Sequence, residues 1–335
     1  MSTGTASFAF AAQRGTKCPA AEWIERVHLE GHGASREDEK GSRPMPARNA
    51  ILVGLADAEH PTTALTWAAR EAILRGAELR ILRAYEWSPA GTPWDAQVDG
   101  QIVGELGGAA QGQVDRAIAS VQRDFPDLRV TGAAVEGPAN QLLVEASEES
   151  LMTVLGSRNL SAFGAAIMGS VSTVVAARAH GPVVVVAGPP GDPAENPAVV
   201  VGVDGTPESE AGLAFAFEAA SLRGRMVRAV FAWRPDTLAT MRWRPEPPAP
   251  ERAERWLAEA LAGWQEKFPD VHSVHAVVRG HPVEALVLES NGAELLVVGG
   301  RSRHARVGSL LGSVSQGVLH HARCPVAVVH PRGTV

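Results

Sequence analysis

Only two cysteines, Cys18 and Cys324, occur in the 335 residues, so no disulfide framework is implied and a reducing cytoplasm is the expected compartment. No apolar run approaches the ~20 residues that cross a bilayer. The short stretch Ser7–Ala12 lacks the length and basic flank of an export signal. Positive charge is not in excess: the net charge of −6 argues against nucleic acid or an anionic membrane as the main partner. No Walker lysine follows any glycine loop, which leaves the commonest ATPase signature unfilled. What remains is an ordinary globular composition, 45% hydrophobic and 20% charged, in a chain long enough for two domains that each bury a core.

The chain is internally duplicated. Leu295–Ser315 reads LLVVGGRSRHARVGSLLGSVS, and Met152–Ser172 reads MTVLGSRNLSAFGAAIMGSVS, 143 positions earlier. Other landmarks pair as well: Leu65 with Leu213, Gly76 with Gly224 and Ala84 with Ala232 are 148 apart. Gly137 with Gly280, Gly156 with Gly299 and Pro182 with Pro325 are again 143 apart. Residues 1–48, polar and carrying the charge run Ser35–Lys40, are expected to be an extension without a fold of its own. Residues 49–188 and 198–331 form the two repeats, with the Pro-rich stretch Ala187–Pro197 between them.

In each repeat a short apolar strand (Asn49–Leu55, Ala198–Gly205) precedes a helix-period segment stopped by glycine (Gly76, Gly224), and a second strand follows. Strands such as LLVVGG and PVAVVH are almost continuously apolar, the pattern of strands buried on both faces. The expected fold is α/β: two tandem, doubly wound, five-stranded parallel-sheet domains with helices on both faces. Ligands in such sheets bind beyond the carboxyl ends of strands where the strand order reverses.

Candidate site residues fall at those ends. In the second repeat Gly202, Val203 and Asp204 end the first strand, and Asp204 can accept from a ribose hydroxyl or an adenine amino group. It could equally serve as an Asx-turn residue. Val298 and Gly299 end the fourth strand, and Gly299 is expected to let a ligand approach the backbone. Gly312 and Ser313 open a helix whose free amides suit phosphate, with Ser313 and Ser315 as further donors; Ser313 as a plain N-cap is the structural alternative. Arg301 lies in the intervening loop, where a cation could neutralise phosphate. The first repeat keeps Gly156, Gly169, Ser170 and Ser172, but Ala56 stands where Asp204 does, and Asp57 would point away. That half is expected to bind nucleotide weakly or not at all.

From Asn49 to His330 the chain resembles the universal stress protein family in its tandem form. The family's ATP-binding members carry Gly-x2-Gly-x9-Gly-(Ser/Thr) together with the first-strand Asp. Here the pattern gives Gly299, Ser302, Gly312 and Ser313, and in the other half Gly156, Asn159, Gly169 and Ser170. The spacing is kept, while the second glycine is replaced by Ser302 and by Asn159. The resemblance implies further ligand contacts at Gly202, Val203, Val298, Arg301, Val314 and Ser315. It also implies a fold of the adenine nucleotide alpha hydrolase type and dimerisation through the last strand. Within one chain, strands near Val183–Val186 and Val326–Val329 would make that pairing as a pseudo-dimer; between chains it would make a homodimer.

Three functions follow as expectations. The first is a regulator that binds ATP, with or without magnesium, and changes the loop Arg301–Leu311 so that an unidentified protein partner reads it. The second is a slow ATPase, for which no catalytic residue stands out beside Ser313. The third is a nucleotide-free dimerisation scaffold. His320 and His321 diverge by ~100° on a helix and make no metal pair; His272 and His275 are expected on opposite faces of a strand. Cys324 reads as a small buried apolar residue. The Pro-rich segment Arg234–Glu251 reads as a stiff surface loop rather than a polyproline ligand.

Overall fold

A computed structural model describes residues 49–56, 63–86, 96–157, 169–186, 197–233, 250–300 and 311–331, without the side chains of 96–103 and 250. The N-terminal extension, most of the inter-repeat linker, most of the Pro-rich segment, Asp57, Asn159, Arg301 and Ser302 lie outside the described residues. The first repeat runs β1 (Ala50–Gly54), α1 (Thr63–Arg75), β2 (Glu78–Tyr85), α2 (Ala96–Asp124), β3 (Val130–Glu136) and α3 (Ala139–Ala146). It continues with β4 (Met152–Gly156), α4 (Ser170–Arg178) and β5 (Val183–Val186). The second repeats this as β6 (Val199–Gly202), α5 (Pro207–Arg223), β7 (Val227–Trp233), α6 (Pro250–Lys267) and β8 (Ser273–Arg279). After these come α7 (Pro282–Glu289), β9 (Leu295–Gly299), α8 (Ser313–His321) and β10 (Val326–Val329).

The helices stop where the sequence says they should. Gly76 (φ 59°) and Gly224 (φ 60°) adopt the left-handed conformation that closes a helix and that side chains disfavour. At the start of α5, Thr206 caps the helix by accepting from the Ser209 N–H at 3.2 Å, and Pro207 occupies the first turn. The cap and proline thus start the helix ahead of its apolar periodicity.

All ten strands form one sheet in the order β3-β2-β1-β4-β5-β10-β9-β6-β7-β8. Every neighbouring pair is parallel except β5 and β10, which run antiparallel with Val326 opposite Val185 and Val328 opposite Val183. The pairing implied for one chain is therefore present, and the two five-stranded halves become a single sheet. The apolar core divides by sheet face rather than by repeat, unlike the expectation of one core per domain. One cluster joins Ile51, Leu65 and Val154 to Val201, Phe217 and Val297; the other joins Leu52, Leu155 and Val175 to Val200, Leu296 and Val318.

A second seam forms where α1 meets α5. Glu71, 1% exposed, accepts from Arg75 Nε at 2.6 Å and from Arg223 Nη2 of the other repeat. Arg75 Nη1 also reaches Glu218 at 2.6 Å, and Arg223 Nη1 donates to the Ala219 carbonyl at 3.0 Å. The arginines are repeat equivalents, and each lies over the aromatic ring of the opposite repeat. Arg75 sits 5.4 Å from the Phe215 centroid and Arg223 sits 5.8 Å from that of Trp67. Glu71 has no equivalent, since Ala219 takes its place, so one carboxylate serves both guanidiniums.

Candidate functional site

β6 and β9 are neighbours, and so are β1 and β4, so in each half the strand order reverses between the two strands that carry the glycine motifs. This places Gly202, Val203 and Asp204 beside Val298 and Gly299 at the carboxyl edge of the second half. Val203 is buried, and its N–H donates to the Val230 carbonyl at 2.9 Å. Gly202 has Leu286 so near that a Cβ would stand 3.0 Å from it. Asp204 is exposed; its Oδ1 accepts from the Thr206 N–H at 3.0 Å and from the Thr206 hydroxyl at 2.5 Å. The turn reading of Asp204 is thus realised in the structure, and it fixes the carboxylate at the rim of the crevice. It uses one oxygen only.

Packing within the fold is enough to require a glycine at 299. A Cβ there would come within 2.9 Å of the Glu208 Cβ and 3.0 Å of its backbone carbon. The first turn of α5 makes this close approach. On the opposite side, Ser315 Oγ donates to the Gly299 carbonyl at 2.5 Å, and Ser315 is buried. Its proton therefore ties α8 to β9. Gly312 itself is the N-cap, with extended φ and ψ, and among the described residues no side chain caps α8. Ser313 is the first helical residue rather than the cap; it is exposed, and Val314 behind it is half-buried. The described contacts therefore bring together two helix starts at the end of β9, one capped by Thr206 and one without a side-chain cap. First-turn amides without a cap are open to an anion.

The first half differs at the two strand ends and keeps the same arrangement at the helix start. Ala56 is exposed in the place of Asp204, and a Cβ on Gly156 would meet only Ala64 at 3.6 Å. Gly169 caps α4 without a side-chain bond, Ser170 is exposed, and Ser172 is buried. Arg83 on β2 lies here: its Nε donates to Gln113 at 2.9 Å and its Nη1 is 3.5 Å from the Leu55 carbonyl. Its equivalent in the second half is Phe231. Sequence reasoning passed over Arg83, Thr206 and Glu208. The Thr-Pro step at 206–207 was a legible helix-start signal; Arg83 carried none.

Among the described residues no group of three His, Cys, Asp or Glu side chains is placed to hold a metal, and no helix is long and apolar enough to cross a membrane. His320 and His321 end α8 with ring centroids 6.5 Å apart. His272 precedes β8 rather than lying on it. Cys324 is buried, and burial pushes its thiol up to about 11 from 9.0.

The description "Universal stress protein family" matches the chain twice, over residues 48–187 and 196–330. The chain belongs to the universal stress protein family. It is 35% identical over 294 residues to universal stress protein Rv2005c of Mycobacterium tuberculosis, which covers 84% of this chain and 97% of the relative. A universal stress protein of Mycolicibacterium smegmatis is 36% identical over 295 residues, with the same coverage. Among solved structures, a universal stress protein from Archaeoglobus fulgidus superposes with a TM-score of 0.59 at 18% identity. It covers 86% of this chain and 99% of its own length, and at that identity the likeness concerns the fold. The α/β architecture and the tandem organisation of this universal stress protein are thereby established.

Proposed function

We propose that this universal stress protein binds an adenine nucleotide in its C-terminal half and acts in the stress response by binding rather than by turnover. The observation that carries the reading is the start of α8, which no side chain caps among the described residues and which is fixed against Gly299, together with the exposed carboxylate of Asp204. Phosphate oxygens would accept from the amides of Ser313 and Val314, and the free oxygen of Asp204 would accept from the ribose or the base. Gly202, Val203, Val298, Arg301, Ser302 and Ser315 complete the proposed site. ATP fits this donor set, and magnesium is assigned to the phosphates, which it normally accompanies, rather than to a protein cage. The degenerate set Gly156, Asn159, Gly169, Ser170 and Ser172 keeps a helix start but lacks the carboxylate. A partner protein would read the nucleotide-bound state.

The test is to denature the purified protein, identify any released nucleotide by chromatography, and titrate ATP with and without magnesium by calorimetry. One site per chain is expected, and Asp204→Asn should weaken it at least tenfold. That variant keeps an oxygen for the Thr206 turn and replaces the charge and the second acceptor by an amide NH2, so a loss of affinity is not a loss of fold. Absence of both carried-over and added nucleotide would overturn the reading in favour of the scaffold, which Ala56 and Arg83 already favour for the N-terminal half.

A further inference from the structure

His330, the residue after β10, is engaged on two sides at once. Its ring lies so close to Gly300 that a Cβ on that glycine would overlap Cε1 and Nδ1. No residue with a side chain fits at 300 while His330 keeps its place. The other edge of the ring reaches the N-terminal repeat, where Nε2 is 2.8 Å from the Ala176 carbonyl in α4. A carbonyl only accepts, so Nε2 carries the proton.

Ala176 needs that donor. The last carbonyls of an α-helix lose their usual partners four residues on. The amide that would serve Ala176 belongs to His180, and it donates to Ser147 Oγ at 3.0 Å instead. The preceding carbonyl, Val175, still receives the Ala179 N–H at 2.9 Å. The end of α4 is therefore capped by a side chain from the opposite repeat.

Gly300 is also the root of the C-terminal glycine loop. Its N–H donates to the Val329 carbonyl at 2.8 Å, and its carbonyl accepts from the N–H of Gly312, the N-cap of α8, at 3.0 Å. The helix that His330 caps, α4, is the one whose start carries the degenerate Gly169–Ser170 site. The duplicated sequence has no matching histidine: at a separation of 143, Gly300 corresponds to Ser157 and His330 to Ala187, whose side chain has no donor.

We propose that His330 is a positioning residue that links the C-terminal nucleotide site to α4 of the other repeat, through a contact for which the duplicated sequence has no equivalent histidine. Movement of the Gly300 backbone displaces the ring, the ring carries the cap, and the last turn of α4 loosens or tightens with it. For its ligand this rests on the nucleotide reading above; the link itself belongs to the nucleotide-free protein as well. A device of this kind lets a half that has lost its own carboxylate respond to what its sister half holds.

Hydrogen exchange of the α4 amides tests the link in the full chain, comparing wild type, Gly300→Ala, His330→Ala and His330→Gln, each with and without ATP. Without nucleotide, Gly300→Ala and His330→Ala should speed exchange in the last turn of α4 about fivefold, the effect of one lost capping bond. His330→Gln, whose amide donates at a similar reach, should restore protection. With ATP, the wild type should change its α4 exchange and His330→Ala should not. Unaltered α4 exchange in folded Gly300→Ala and His330→Ala overturns the link. If Gly300→Ala does not fold, the contrast between His330→Ala and His330→Gln decides alone. If calorimetry finds no ATP binding, the proposed function falls, and the nucleotide-free comparison still decides the link.

Discussion

Removing the charge of Glu71 tests how the two repeats are held together. Its side chain is 1% exposed and faces two guanidiniums that are almost as deeply buried, so solvent cannot replace what the carboxylate supplies. In Glu71→Gln, Arg75 retains Glu218, but that partner is 51% exposed, and such pairs contribute only about 0.2–1 kcal/mol. Arg223 retains the Ala219 carbonyl and the face of Trp67, neither of which carries a full negative charge. Loss of one member of a buried pair costs about 3–5 kcal/mol, and the surviving contacts place this variant near the lower end. That is a large part of the roughly 5–15 kcal/mol that a folded chain commands. Urea unfolding followed by both fluorescence and circular dichroism measures it. The triple change Glu71→Leu, Arg75→Met, Arg223→Met should recover most of the loss, since apolar side chains of similar volume often replace buried ions without penalty. A loss below about 1 kcal/mol in Glu71→Gln, or no recovery in the triple variant, would refute the reasoning.

Thr153 is buried in β4 with a hydroxyl that has no hydrogen-bond partner, so Thr153→Val should raise stability by about 1–2 kcal/mol in the same urea assay. Gly299→Ala forces a methyl against the first turn of α5 and should destabilise by about 1–3 kcal/mol, whereas its repeat partner Gly156→Ala meets only Ala64 at 3.6 Å and should change stability by less than about 1 kcal/mol. The Cys324 thiol holds its proton to about 11, above its ordinary 9.0, so it favours the native state fully below pH about 9 and loses that contribution as pH rises through about 11. Over that window the urea midpoint of the wild type should fall more steeply than that of Cys324→Ala, and parallel curves would refute the assignment.

The duplication was legible because it is written in spacing: glycine-ended strands, helix-stopping glycines and Gly-Ser helix starts recur at fixed separations. From them come the two five-stranded halves and the strands that carry the site. The role of Gly299 was not legible, because Glu208 lies far off in sequence and reaches it only once α5 folds back over β9. The same holds for Glu71, whose partner Arg223 is 152 residues away. A trace of that seam did exist, since Leu-Arg-Gly closes the first helix of both repeats (Leu74–Gly76, Leu222–Gly224). Arginines kept before a stop signal in both copies mark a shared contact, but nothing local says that a single carboxylate lies between them. Asp204 shows the opposite case, in which the turn reading and the ligand reading both call for the same side chain at the same strand end.

The antiparallel pairing of β5 with β10 has a consequence for solubility. VVVV and VAVV are strands with every side chain buried, and alone each would border a half-sheet with unpaired amides and carbonyls. Such an edge is a template for adding further chains. Covalent linkage keeps the complementary edge permanently at hand, at an effective concentration that free halves would not reach. Neither repeat was then obliged to preserve a surface fit for pairing with a copy of itself. The chain is a fixed pair of unlike halves, with Ala56 at a strand end in one and Asp204 at the same place in the other.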